Sequence, residues 1–126
     1  MHELAMAQSI TEVVVKKARE NQARQVNTVR LLIGDGSGVV TGPLTFCFEM
    51  IAGTEPLLTG ARLEIERVPH RARCRVCATE YTIPDFVICC PNCGRWESEV
   101  ISGTELQILD MEFEAENEQG VQLCQN

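Results

Sequence analysis

Aromatic residues are scarce in this sequence, with one Trp, one Tyr and four Phe among 126 residues, so any core has to be built mainly from Val, Ile, Leu and Met. No apolar run approaches the roughly 18–20 residues of a membrane span. The opening MHELAMAQSITEVVVKKA has no basic leader, no unbroken apolar stretch and no small-residue cleavage site. A secretory signal is therefore not expected, and a cytoplasmic location is. Histidine is limited to two residues, and no nucleophile, base and orienting group fall together, so the chain is not expected to be an enzyme. Basic residues are missing from position 105 onward, where six acidic side chains fall. Residues 117–126 are accordingly expected to form a flexible acidic tail. The net charge of −7 argues against nucleic acid as a partner.

What remains is a soluble, globular composition, with 44% hydrophobic and 23% charged residues, and a chain length suited to one domain or to a small core carrying a metal-stapled module. Hydrophobic spacing predicts a helix over residues 3–20, with Ala7, Ile10, Val14 and Ala18 on its buried stripe. Residues 26–33 alternate as a strand with Val29, Leu31 and Ile33 on one face. Thr41 is read as the N-cap of a second helix, with Pro43 in its first turn and Leu44, Cys47, Phe48 and Ile51 facing inward. Two further strands follow, ARLEIERV with Leu63 and Ile65 inward, and ELQILDMEFE with Leu109, Met111 and Phe113 inward. The expected fold class is α+β: a small domain of two helices and a three-stranded sheet, residues 1–67 plus 105–116, with a zinc-ribbon-like β module inserted at 68–104.

That insertion holds the strongest local signal. Cys74-Arg-Val-Cys77 is followed after twelve residues by Cys90-Pro-Asn-Cys93-Gly94. A CxxC turn directs two sulfurs at one ion, and two such turns supply a closed tetrahedral S₄ set of the kind zinc occupies without redox chemistry. Residues 68–104 have short turns and few large apolar side chains, so a metal has to hold them together. Cys90 is preferred to the adjacent Cys89 because its spacing to Cys93 repeats that of the first pair. Cys47 falls on an apolar helix face, and Cys124 lies in the tail. Three uses of the module compete: a structural zinc site that shapes an interaction surface, a rubredoxin-like iron centre, and a nucleic-acid-binding ribbon using Arg67, Arg71, Arg73 and Arg75. The first knuckle, CRVCA, lacks the glycine of CPNCG, which weighs against the iron centre.

The second signal is Met1-His2-Glu3. A terminal amine, the His2 amide and the His2 imidazole can form fused chelate rings, with a fourth donor from the Glu3 amide or carboxylate. Such a nitrogen-rich planar set suits Ni(II) or Cu(II) rather than zinc. His2 would bind only in its neutral form, so falling pH is expected to release the ion.

The MHEL opening before a helix, the strand ending LLIG, the TFCFEM helix, the LEIE strand and CxxC…CPxCG, in this order, resemble the HypA/HybF family over roughly residues 1–113. The resemblance implies a nickel metallochaperone for [NiFe]-hydrogenase maturation. It implies Ni(II) held by Met1, His2 and the Glu3 backbone, and Zn(II) held by Cys74, Cys77, Cys90 and Cys93. A HypB-type GTPase and the hydrogenase large-subunit precursor are the implied partners, and a homodimer is left open. His70 is read as a linker residue that could enter a metal shell. The GDGSG loop lacks the Lys and spacing of a phosphate loop, so no nucleotide site is expected. The alternative is a zinc-ribbon interaction adaptor without nickel transfer.

Overall fold

The computed structural model describes residues 2–115 and 121–125, and the chain divides into two compact units. The first, an α/β unit, takes in residues up to 31, 39–66 and those from 107 onward. Its first helix, α1 (Glu3–Glu20), buries Ala7, Ile10, Thr11, Val14 and Ala18. Those positions recur at helical spacing, while Glu3 in the first turn and Lys17 and Arg19 in the last complement the helix dipole. The side-chain amide of Asn21 closes the helix by donating to the Lys17 carbonyl at 2.8 Å, and Gln22 turns the chain with φ of 55°.

Strand β1 (Ala23–Gly34) follows, and then α2 (Thr41–Ala52). Helix α2 buries Leu44, Phe48 and Ala52, while Cys47 and Ile51 are half-buried. It packs against α1. Its N-cap is Val40 rather than Thr41, which is already the first helical residue, and no side chain of the cap bonds the helix end. A short 3-10 turn, Pro56–Leu58, leads to β2 (Arg62–Val68), where Leu63 and Ile65 are half-buried. Strand β6 (Leu106–Ala115) buries Met111 and Phe113 on one face and Asp110 on the other. Asp110 is a buried carboxylate, and Arg30 of β1 satisfies it with two bonds, one of them from Nε to Oδ1 at 2.7 Å.

The sheet has four strands, in the order β2-β1-β6-β7, where three were expected. The addition is β7 (Val121–Gln125), antiparallel to β6 with Met111 opposite Cys124 and Phe113 opposite Gln122. The expectation of a flexible tail over 117–126 is thus corrected for residues 121–125. VQLCQ carries no charge and includes β-branched Val121, which suits a strand. The rest of that tail, residues 117–120 and 126, lies outside the described residues.

The second unit comprises residues 32–38 and 67–106. It holds a three-stranded antiparallel sheet in the order β4-β3-β5, built from β3 (Arg71–Cys74), β4 (Glu80–Thr82) and β5 (Ser98–Ser102). One face of β3 points Ala72 and Cys74 inward, where they meet Tyr81, Ile83, Cys90 and the partly buried Cys77. The other face carries Arg73, which bonds Glu80 at 2.9 Å and Glu99 at 3.5 Å. Arg71 lies 3.9 Å from Glu80, and Arg67 bonds Asp35 at 2.9 Å.

Residues 32–38 were expected with the α/β domain. They join this unit because the Gly34-Asp35-Gly36 backbone is bonded between its two connecting segments. The N–H of Gly34 donates to the Glu105 carbonyl at 2.8 Å, that of Asp35 to Val68 at 2.8 Å, and that of Gly36 to Gly103 at 2.7 Å. A side chain at Gly36 has no room, since a Cβ there would come within 2.5 Å of the His70 ring. His70 is buried, and its ring lies 5.8 Å from that of Phe86.

Candidate metal centre

Each cysteine pair sits in the same turn. In the first, the Cys74 N–H donates to the Thr79 carbonyl and the Ala78 N–H to the Cys74 carbonyl, both at 2.9 Å. In the second, the Cys90 N–H donates to Arg95 at 2.9 Å and the Gly94 N–H to Cys90 at 2.8 Å. The residue after the second sulfur is left-handed in both turns, with φ of 64° at Ala78 and 75° at Gly94. Glycine takes that conformation without strain, whereas alanine does so at a cost of about 1 kcal/mol. The first knuckle therefore adopts the glycine geometry without the glycine.

The turns bring four sulfurs together. Cys74 and Cys93 approach to 3.6 Å, as do Cys77 and Cys90, and all four sulfurs lie within 4.8 Å of one another. A disulfide needs about 2.05 Å. A tetrahedron of metal–sulfur bonds of about 2.3 Å has edges of about 3.8 Å, so the spacing fits four ligands of one ion. Each knuckle supplies one buried sulfur, Cys74 and Cys90, and one nearer solvent, Cys77 and Cys93.

The electrostatics point the same way. The Thr79 hydroxyl and N–H, followed by the Asn92 amide, hold the Cys77 thiol down to about 5. The hydroxyl oxygen of Thr79 is 3.2 Å from Cys77 Sγ, and Asn92 Nδ2 donates to it at 3.6 Å. At Cys93 the Arg95 N–H pulls downward, but desolvation and the sulfurs of Cys74, Cys90 and Cys77 outweigh it and push the thiol up to about 12. Four sulfurs this close cannot all shed their protons unaided, and a divalent cation at their centre would let them. The Val76 N–H also points at Cys74 Sγ, at 3.4 Å. Neither Thr79 nor Asn92 is singled out by the cysteine spacing. Asn92 lies inside CPNC, but a spacing pattern specifies ligands and not the donors around them.

Cys89 is exposed and outside the cluster, with its sulfur 3.7 Å from the Gly94 carbonyl. His70 is likewise outside it. Cys47 is half-buried on α2, and the side chain of Cys124 is not among those described.

At the other end of the chain, Met1 lies outside the described residues. His2 is the N-cap of α1, exposed, with no capping bond from its side chain. Glu3 begins the helix, and its Oε2 accepts a hydrogen bond from the Val40 N–H at 3.2 Å. That bond, followed by the Glu3 backbone N–H, holds the Glu3 carboxyl below its ordinary range.

Residues 1–113 match the family model described as hydrogenase/urease nickel incorporation, metallochaperone, hypA. The hydrogenase maturation factor HypA of Geobacter metallireducens is 43% identical, over 90% of this chain and 100% of that protein. Its counterpart in Dehalococcoides mccartyi is 36% identical, over 94% of this chain and 98% of that one. The solution structure of the Ni metallochaperone HypA from Helicobacter pylori shares the fold, with a TM-score of 0.64 at 23% identity, over 92% of this chain and all of the other.

Proposed function

The chain belongs to the HypA family of hydrogenase maturation nickel metallochaperones, and from that premise we propose that it carries Ni(II) at its N-terminus and hands it on for [NiFe]-hydrogenase assembly. The family match, which takes in Met1-His2-Glu3, carries this reading. The exposed, uncapped His2 supports it, because an imidazole engaged in capping would be withdrawn from a metal. The Met1 amine, the His2 amide and imidazole and the Glu3 amide form the proposed nickel set. Such a terminal chelate has no enclosing cage, so the ion can leave for an acceptor with better ligands.

Zn(II) is the proposed resident ion of the four-cysteine site, held by Cys74, Cys77, Cys90 and Cys93. The sulfur spacing fits it, and zinc supplies charge neutralisation and a cross-link without redox chemistry. Asn92, Thr79 and the Val76 N–H orient the sulfurs. The protein acts as a carrier and not as an enzyme. A HypB-type GTPase and the hydrogenase large-subunit precursor are the proposed exchange partners, in the cytoplasm. No described helix is long and apolar enough to cross a membrane.

The test is a Ni(II) titration of untagged protein, His2→Ala and a variant with one residue added before Met1, followed by visible absorption. One equivalent bound with a square-planar band, lost in both variants, is the expected result. Equal binding by all three would remove the terminal site and leave a zinc-ribbon adaptor. A colourless purified protein containing zinc is expected at the cysteines, and a red iron-loaded one would reverse that assignment.

A further inference from the structure

Helices α1 and α2 both begin without a side-chain cap of their own. The first N–H groups of a helix have no intrahelical acceptor, and an uncapped first turn tends to fray. Here one group serves both starts. Glu3 is the first residue of α1, and its Oε2 accepts from the N–H of Val40, the N-cap of α2, at 3.2 Å. The negative charge also lies at two helix N-termini, where the dipoles favour it.

From this contact we propose that the Glu3 carboxylate is a positioning residue rather than a nickel ligand, clasping the start of α1 to the start of α2. The inference rests on the terminal nickel site proposed above and assigns the side chain its part in it. That donor set is made largely of backbone nitrogen, so chelation has to freeze the first residues of the chain. Ordering backbone costs conformational entropy and so opposes binding. A clasp that already fixes residue 3 reduces what nickel must order, and affinity rises without any added ligand. An oxygen bonded to Val40 would also have to let go before reaching the metal, which favours the amide over the carboxylate as the fourth donor.

The test is a double-mutant cycle on the full chain with its native N-terminus, read by Ni(II) titration with visible absorption. Glu3→Ala removes the acceptor. Val40→Pro removes the donor, because proline lacks the N–H, and asks the backbone to move from φ of −93° toward about −65°. Each change is expected to weaken nickel binding about tenfold, and both together no more than about tenfold, since they break one interaction. The absorption band should keep its wavelength throughout. Glu3→Gln retains an acceptor for Val40 and should bind within about threefold of the wild type.

A band that moves in both Glu3→Ala and Glu3→Gln would make the carboxylate a ligand and overturn the proposal. Wild-type affinity in Val40→Pro would overturn it as well. Should that proline disturb folding, amide exchange at Val40 decides without it: protected in Glu3→Gln and fast in Glu3→Ala is expected, and equal rates would refute the clasp. Failure of the nickel site itself looks different, since wild-type binding would then survive His2→Ala.

Discussion

In the α/β unit the fully buried large side chains are those of Phe48, Phe113, Leu31, Leu44, Leu58, Val14, Val26 and Val29, whereas in the metal unit they are Ile33, Cys74 and Cys90. One unit is held by apolar packing of ordinary kind. The other has placed metal-binding sulfurs where a core side chain would stand, with Ala72, Tyr81 and Ile83 packed around them. A unit with so little apolar surface to bury cannot offset its chain entropy that way. The contrast teaches that the cysteine cluster is the core of its unit and not an attachment to it, so the two units should fail under different stresses.

The largest effect should come from taking the metal away. Chelation, or Cys90→Ser, is expected to cost the metal unit on the order of 10 kcal/mol and to unfold residues 71–102. Hydrogen exchange read peptide by peptide should show α1 and α2 still protected; simultaneous loss in both units would end the contrast. Next comes Phe48→Ala, which should destabilise the α/β unit by about 3–5 kcal/mol through the cavity it leaves. Urea unfolding by circular dichroism would measure this, with zinc content unchanged.

Arg30→Met should destabilise the fold modestly, because it leaves the buried Asp110 carboxylate without its partner. Asp110→Ala should cost less, since Arg30 is half exposed and can turn to water. The Arg30 guanidinium holds the Asp110 carboxyl below its ordinary range. The folded state therefore binds this proton less readily than the unfolded chain. The pair's contribution is complete above the unfolded value of about 4 and is lost as pH falls through the lower, folded value. Urea midpoints taken downward from about pH 5 should fall more steeply in the wild type than in Arg30→Met, where the lowered carboxyls of Glu3 and Glu80 still contribute.

The smallest effects sharpen the view inside the metal unit, where the two knuckles differ at one backbone position. Gly94→Ala should destabilise by about 1 kcal/mol, a purely conformational cost, because no atom lies within 4 Å of the added Cβ. Ala78→Gly should stabilise by about 0.5–1 kcal/mol for the opposite reason. Thermal melts of the zinc-loaded protein would compare them, and equal signs would show that the turns are not equivalent.

The elements legible in the sequence are those whose burial follows a local period. Helix α1 spans Glu3–Glu20 with the anticipated stripe, and β1, α2, β2 and β6 lie within a few residues of their expected bounds. The strands of the metal unit were not anticipated as such. Each is only three to five residues long, and Arg71 and Arg73 conceal the alternation with Ala72 and Cys74. Those arginines looked like a basic strip, yet they meet Glu80 and Glu99 across the sheet. The metal-binding spacing was legible because a CxxC turn is a local device. The supports were not: Asp110 finds Arg30 eighty positions away, and Glu3 finds Val40 thirty-seven away. Local spacing offers Thr41 as the cap of α2, whereas the N-cap is Val40, whose N–H is met by Glu3 from another element.

The Gly34-Asp35-Gly36 loop bears on how such a unit can be inherited. A piece cut at residues 67 and 106 would keep all four sulfurs but lose the backbone donors that meet Glu105, Val68 and Gly103. The metal unit is therefore not a cassette that recombination could lift from one gene and drop into another at two cut sites. A host would have to offer, in a strand encoded thirty residues earlier, a loop bare enough to lie against His70. Descent of the two units together is what this stitching enforces.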